Sequence, residues 1–157
     1  MGVAGSGKTT IGRMVADALG WPYFEADDFH SPENKAKMSR GQPLTDADRE
    51  PWLTDIRAKI DECRSAGRNA VFTCSALKEQ YRTRLGLDQA DTILVHLTGD
   101  LATILARVTQ RQGHYLKAAL VESQFKDLEP PSNALTCDVA LPPEEIVRRI
   151  LQRLNDG

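Results

Sequence analysis

The feature that most limits what this chain can become is its opening, Gly2-Val3-Ala4-Gly5-Ser6-Gly7-Lys8-Thr9. The spacing G-x-x-x-x-G-K-[ST] is that of a loop whose backbone N–H groups turn inward and cradle phosphate oxygens, with a helix starting at once behind it. Gly2 and Gly7 permit backbone angles and close approach that a Cβ would block. Lys8 reaches the β- and γ-phosphates, the Thr9 hydroxyl ligates Mg²⁺, and the helix adds the positive end of its dipole. The same pattern as a plain glycine-rich turn before a helix is the weaker reading, because three glycines and a Lys-Thr pair coincide. Such a loop normally follows a buried parallel strand, and here only Met1 precedes it.

Hydrophobic spacing orders the remainder. Ile11, Met14, Val15, Ala18 and Leu19 predict a helix over 8–19 that stops at Gly20. Pro22 to Ala26 reads as a short buried strand delivering Asp27, Asp28 and His30 at its carboxyl end. Ser31-Pro32 opens a polar helix ended by Gly41, and Thr45-Asp46-Ala47-Asp48 resembles a capping box that starts a longer helix to Gly67. Ala70 to Cys74 predicts a central parallel strand, and Ser75 is the expected cap of a helix from Ala76 to about Leu85. Strands over 92–97 and 134–141 alternate with helices over 101–112, 116–128 and from Pro142 or Pro143 to Leu154. Alternation of this kind implies an α/β fold, a parallel sheet between two helical layers.

The 157 residues suit one domain, 1–157, and 41% apolar residues are enough for its core. A net charge of −2 gives no general basic field, which argues against nucleic acid and acidic membranes as partners. Cys63, Cys74 and Cys137 are odd in number and lack the paired spacing of a zinc or redox site, so they read as buried thiols of a cytoplasmic protein. No apolar run reaches the roughly 18 residues of a membrane span.

Three further stretches bear on chemistry. Asp27, Asp28 and His30, with Lys37, Arg49 and Trp52, combine carboxylates at a strand end with cations, which suits a substrate carrying a hydroxyl and an anionic group. Cys74 to Arg82 sets Lys78, Tyr81 and Arg82 at a helix start. Arg107 and Arg111 share a helix face ahead of Gly113-His114, as in a lid over 107–120 that closes on a transferring phosphate. Each has a plainer reading: a solvated face for the two arginines, packing for Tyr81 and Trp52, a cap or a turn for His30 and His114.

Taken together, GVAGSGKT, ADDFHSPENKAKM, GQPLTDADREPWL, CSALKEQYR and RQGH closely resemble the small phosphate-loop gluconokinases over essentially the whole chain. The resemblance implies transfer of the γ-phosphate of ATP to the 6-hydroxyl of D-gluconate, a fold like that of shikimate and nucleoside monophosphate kinases with a five-stranded parallel sheet, and a homodimer. It puts the family's acid on Asp27 rather than Asp28, its loop residues on Gly5, Gly7, Lys8 and Thr9, and its lid arginine on Arg111. The catalytic set is then Lys8, Asp27 and Arg111. Nucleotide contacts are Gly2, Ala4, Gly5, Ser6, Gly7, Lys8, Thr9, Thr10 and Arg107. Thr9 and Asp27 serve the Mg²⁺, and Asp27, His30, Lys37, Arg49, Lys78, Arg82 and His114 line the acceptor site. Which cation meets the substrate carboxylate stays open, as do the adenine contacts.

Two alternatives stand beside this reading: a kinase of another small hydroxy acid such as shikimate, and a non-catalytic nucleotide-binding relative. The expectation for the start of the chain is that the natural protein begins upstream of Met1. A sheet without its central strand is expected to leave groups near Val71 and Leu94 unpaired and the chain weakly stable.

Overall fold

The computed structural model describes residues 1–110 and 115–156. Its first helix, α1 (Lys8–Leu19), is capped by Gly7 at φ 91° and ends on Gly20 at φ 66°, whose N–H reaches back to Ala16 and Asp17. Only glycine adopts these left-handed angles without strain, so both helix ends are fixed by sequence. The buried face of α1 is Ile11, Gly12, Val15 and Ala16.

The chain then forms β1 (Tyr23–Glu25), a 3₁₀ turn over Ala26–Phe29, and helices α2 (Pro32–Ser39) and α3 (Asp46–Ser65). Ser31 accepts from the Asn34 N–H, and Thr45 and Asp48 form the reciprocal capping box expected for α3. Next come β2 (Val71–Thr73), α4 (Glu79–Leu85), β3 (Val95–Thr98), α5 (Leu101–Gln110), α6 (Tyr115–Asp127), β4 (Leu135–Asp138) and α7 (Pro143–Asn155). Apart from α4, the predicted elements lie where periodicity put them, within a few residues at their ends.

The strands are parallel, as expected, but they form two pairs rather than one five-stranded sheet. Tyr23, Phe24 and Glu25 of β1 align with Val71, Phe72 and Thr73 of β2. Val95 to Thr98 of β3 align with Leu135 to Asp138 of β4. Among the described residues the backbone between the pairs is bridged by the first two residues: Leu97 N–H donates to Met1 O at 2.9 Å, the Met1 ammonium donates to Val95 O, and Gly2 N–H donates to Ser75 O at 3.3 Å. One residue cannot make a ladder. A cavity of about 510 Å³ therefore lies between β2 and β3, with Met1, Ile11, Val15, Phe72, Val95 and Leu97 among its lining residues.

Two apolar clusters carry the packing. The larger joins Ile11 and Val15 of α1, Ile104 and Val108 of α5, Val121 of α6 and Ile146, Val147 and Ile150 of α7 around Leu97 and Cys137. The other joins Trp52, Leu53, Ile56 and Ile60 of α3 to Tyr81 and Leu85 of α4 over Ala26 and Cys74. Each fully buried side chain of this kind is worth about 1.5–3 kcal/mol. All three cysteines are free and buried.

Two local expectations change. The helix expected from Ala76 starts at Glu79, capped by extended Lys78 rather than Ser75. The reason is Ala76 itself, which sits at φ 45°, a left-handed angle that no helix can pass through. The strand expected to reach Ala26 stops at Glu25, and the acids follow at its carboxyl end on a 3₁₀ turn.

Gly12 shows how closely α1 lies on β1 and β2. A Cβ there would sit 2.4 Å from Thr73 Cγ2 and 2.9 Å from the Tyr23 ring. Alanine normally favours a helix over glycine by about 1 kcal/mol, yet overpacking here should cost about 1–3 kcal/mol. Gly12→Ala is thus expected to lower the urea midpoint, with Thr73→Ser in the same chain restoring part of it. A higher midpoint for Gly12→Ala alone would show that the α1 contact has room to spare.

Candidate active site

The phosphate loop presents its amides as its glycines require, with Gly5 at φ 80° and Gly7 at φ 91°. The N–H groups of Gly5, Gly7, Lys8 and Thr9 donate to no atom among the described residues, so four neighbouring donors converge at the start of α1. Ser6 is buried, and its hydroxyl has no partner among the described residues. Lys8 Nζ donates to Val3 O at 2.9 Å. Burial holds the Lys8 ammonium below its ordinary value, with Asp27 opposing that shift most strongly. An anion in this nest would meet open amides, a cation and an orphaned hydroxyl, which fits a phosphate group. Ala4 departs from the expectation, because its N–H already donates to Gln124 Oε1 at 2.6 Å.

Beside the loop stands a carboxylate read from sequence only as part of a strand. Thr9 Oγ1 donates to both oxygens of Glu25, at 3.0 and 3.2 Å, and Tyr23 and Thr73 donate their hydroxyls to the same carboxylate. The contact with Thr9 depends on α1 lying across β1, which no local pattern announces. Thr9, Glu25 and Asp27 are hard oxygen donors next to the phosphate nest and therefore fit an Mg²⁺ ion that takes most of its remaining ligands from phosphate and water. Among the described residues no group of three or more His, Cys, Asp or Glu could hold a metal by itself.

Asp27 is solvent-accessible, but the protein around it pushes its carboxyl above the ordinary 3.8. Burial is the main cause, Lys8 pulls the other way, and Glu25 and Asp28 add to the rise. The acid and the phosphate-loop lysine thus lie near enough for each charge to bear on the other.

The cations expected to line an acceptor site gather near the starts of α3 and α4. Arg49 is buried, donates to Leu44 O at 2.7 Å and to the Tyr81 hydroxyl at 3.2 Å, and lies 5.4 Å from the Tyr81 ring centroid. Tyr81 donates in turn to Asp46, which also holds Lys78 at 3.2 Å. Lys37 is held at 2.9 Å by Asp48. His30 is buried against Trp52 with ring centroids 4.3 Å apart, and Trp52 Nε1 donates to Ala26 O. Burial, then Arg49 and Lys35, lower His30 to about 4, so its ring is neutral near pH 7 and its Nδ1 has no partner.

Arg82 differs from its expected role. Its Nη1 donates to Ala76 O and Leu77 O, both at 3.0 Å, bracing the loop before α4 from below. Arg107 likewise donates to Val139 O at the end of β4. Arg111 and His114 lie outside the described residues, so the lid reading over 107–120 is met by structure only at its two flanks. Sequence reading gives Asp46 and Asp48 only a capping role and no site role to Glu25 or Gln124; the partners of Glu25, Asp46 and Gln124 lie 16, 32 and 120 residues away.

Comparison with known proteins agrees with this geometry. The family model for shikimate kinase matches residues 4–155. A gluconokinase of Gluconobacter oxydans (strain 621H) is 45% identical over 133 residues, covering 85% of this chain and 75% of that protein. Among solved structures, an unliganded sugar kinase from Janibacter sp. HTCC2649 superposes with a TM-score of 0.90 at 44% identity, covering 99% of this chain and 91% of its own. A gluconokinase from Sinorhizobium meliloti 1021 gives 0.84 at 38% identity over 99% and 93% of the two chains. The nest at Gly5 to Thr9, the acid turn at Asp27 and relatives of this similarity over most of their length lead to one conclusion: the chain belongs to the gluconokinases, within the shikimate kinase-like phosphate-loop kinases.

Proposed function

We propose that this protein transfers the γ-phosphoryl group of ATP to the 6-hydroxyl of D-gluconate, giving 6-phospho-D-gluconate and ADP, as an Mg²⁺-dependent cytoplasmic homodimer with a single domain and a lid over 107–120. The observation that carries the reading is the nest of open amides at Gly5, Gly7, Lys8 and Thr9, with the Lys8 ammonium and the Thr9–Glu25 contact beside it. Relatives named as gluconokinases support the choice of acceptor.

Phosphoryl transfer asks the protein mainly to position groups and neutralise charge. The amides of Gly5, Gly7, Lys8 and Thr9 hold the phosphates, the Lys8 ammonium neutralises charge on the transferring group, and Asp27 accepts the proton of the attacking hydroxyl. Bound Mg²⁺, held by Thr9 with Glu25 and Asp27 beside it, supplies further neutralisation of phosphate charge. Arg111 is assigned the developing charge on the transferring group, and Arg107 the nucleotide side. Arg49 is the best candidate for the sugar-acid carboxylate. Lys37 and Lys78 each face an acid, whereas Arg49 makes no ion pair among the described residues. A guanidinium can also grip a carboxylate with two donors. Neutral His30 is suited to a hydroxyl of the same substrate.

Coupled ADP release with gluconate, shikimate and glycerate at fixed ATP tests the reading directly. Gluconate-dependent release is expected, and equal background with every acid would refute it. Lys8→Ala should abolish transfer, and Asp27→Asn should lower kcat by on the order of 10²–10⁴. A mild Asp27→Asn beside a crippling Asp28→Asn would move the base to Asp28.

The pH profile follows from the same groups. Asp27 works ionised and its folded value is raised, so kcat/KM should fall on acidification at a pH above that of an ordinary carboxylate, and Asp27→Asn should erase that limb. His30, neutral down to about 4, should add no step to the gluconate KM between pH 6 and 8. A step in that window, absent from His30→Gln, would show the ring charged in the working enzyme.

Arg49→Ala should raise the gluconate KM by roughly 10-fold or more while leaving the ATP KM nearly unchanged, as loss of an anchor present in ground and transition states requires. Arg82→Ala, which frees two carbonyls of the strained loop, should instead lower the melting temperature as well. Equal shifts in both Michaelis constants for Arg49→Ala would remove it from the acceptor site.

A further inference from the structure

The phosphate loop is positioned from outside by a side chain that neither its motif nor the proposed reaction mentions. The Val3–Ala4 peptide is the relevant unit. Because a trans peptide is planar, its C=O and N–H point in opposite directions, and fixing one fixes the other. On one side, Val3 O accepts from Lys8 Nζ at 2.9 Å and from Ser6 N–H at 3.2 Å. On the other, Ala4 N–H donates to Gln124 Oε1 at 2.6 Å. Gln124 is half-buried in the second half of α6, one turn after Val121, which is 1% exposed and anchors that helix in the larger core. The neighbouring residue is confined as well, since a Cβ on Gly5 would lie 2.4 Å from Val108 Cγ2 of α5. Helices α5 and α6 thus seat the loop from its outer side, and the amides of Gly5, Gly7, Lys8 and Thr9 stay open on its inner side.

We propose that Gln124 is a positioning residue for nucleotide binding: by accepting from Ala4 N–H it fixes the Val3–Ala4 peptide, and through Val3 O it sets Lys8 and the turn at Ser6. A loop with glycines at 2, 5 and 7 has many backbone states available, and the anion nest needs one of them. A rotated Val3–Ala4 peptide would turn its N–H away from Gln124, release Lys8 and point a carbonyl oxygen where another carbonyl already sits. That state loses the Gln124 and Ser6 contacts together, and regaining a partner would require the Gln124 amide to turn over as well. The role rests on the kinase reading for its purpose, but not on gluconate as the acceptor.

The test uses nucleotide binding so that the two can fail separately. Gln124→Met keeps length and bulk and removes the acceptor. It should weaken binding of a non-hydrolysable ATP analogue with Mg²⁺, measured by calorimetry, by roughly 10-fold. In steady-state assays with gluconate, the ATP KM should rise while the gluconate KM stays within about twofold. The Ala4 amide, slow to exchange with deuterium in the unaltered protein, should become fast. Gln124→Glu keeps an oxygen acceptor, and should keep Ala4 protected and most of the affinity. A rapidly exchanging Ala4 amide in the unaltered protein would overturn the proposal even if neither variant folds. Unchanged analogue affinity in a folded Gln124→Met would overturn it too. Loss of gluconate turnover with normal analogue binding and a protected Ala4 amide in the unaltered protein would instead count against the acceptor assignment and leave Gln124 in its role.

Discussion

The structure depends on where its first two residues are held. Met1 takes a place against β3 through Leu97 and Val95, and Gly2 donates to Ser75 just past β2, so the phosphate loop emerges between the two strand pairs at their carboxyl ends. Each such hydrogen bond is worth only about 1 kcal/mol net. Their effect is geometric: they aim α1 across β1 and β2, and packing then secures it. Gly12 against Thr73 and Tyr23, and Ile11 and Val15 in the larger core, leave α1 little freedom to shift. Because α1 lies there, Thr9 meets Glu25.

The cluster proposed for the acceptor is assembled around a strained turn. Ala76 at φ 45° is a non-glycine residue in a left-handed conformation, a state that costs on the order of 1–3 kcal/mol. Arg82 offsets that cost with two charge-assisted bonds to Ala76 and Leu77, and Glu129 holds the loop from the far side by accepting from Glu79 N–H and donating its own N–H to Leu77 O. The turn places Lys78 and Tyr81 against Asp46 at the start of α3, which is how two helices separated by a strand come to share one pocket. The acids there matter as much as the cations, since Asp46 and Asp48 take up Lys78 and Lys37 and leave Arg49 distinguished among them.

Local signals were legible wherever a single residue type forces a local conformation. Gly7 and Gly20 bound α1, Thr45 and Asp48 start α3, and Ser31-Pro32 start α2, because caps and left-handed glycines act within four residues of themselves. The start of α4 was misjudged because Ser75 looks like a cap, and nothing nearby in sequence tells that Ala76 will be forced into a left-handed angle by its neighbours.

By itself the sequence determined the phosphate loop, the alternation of strands and helices, the acid at Asp27 and the cationic character of the acceptor side, and its motifs were enough to identify the family. Tertiary structure decided which of those charged groups face the opening. Arg49 and Arg82 look alike in sequence, yet one is linked through Tyr81 to the acceptor side and the other braces a loop beneath it. Tertiary structure alone brought in Glu25 and Gln124. Gln124 lies 120 residues from the amide it accepts, and Glu25 meets Thr9 only because Gly12 lets α1 lie close on β1. The division follows from the range of the forces: capping, turn angles and periodicity act within a turn of the chain, whereas the partner of a buried polar group is set by how whole elements pack.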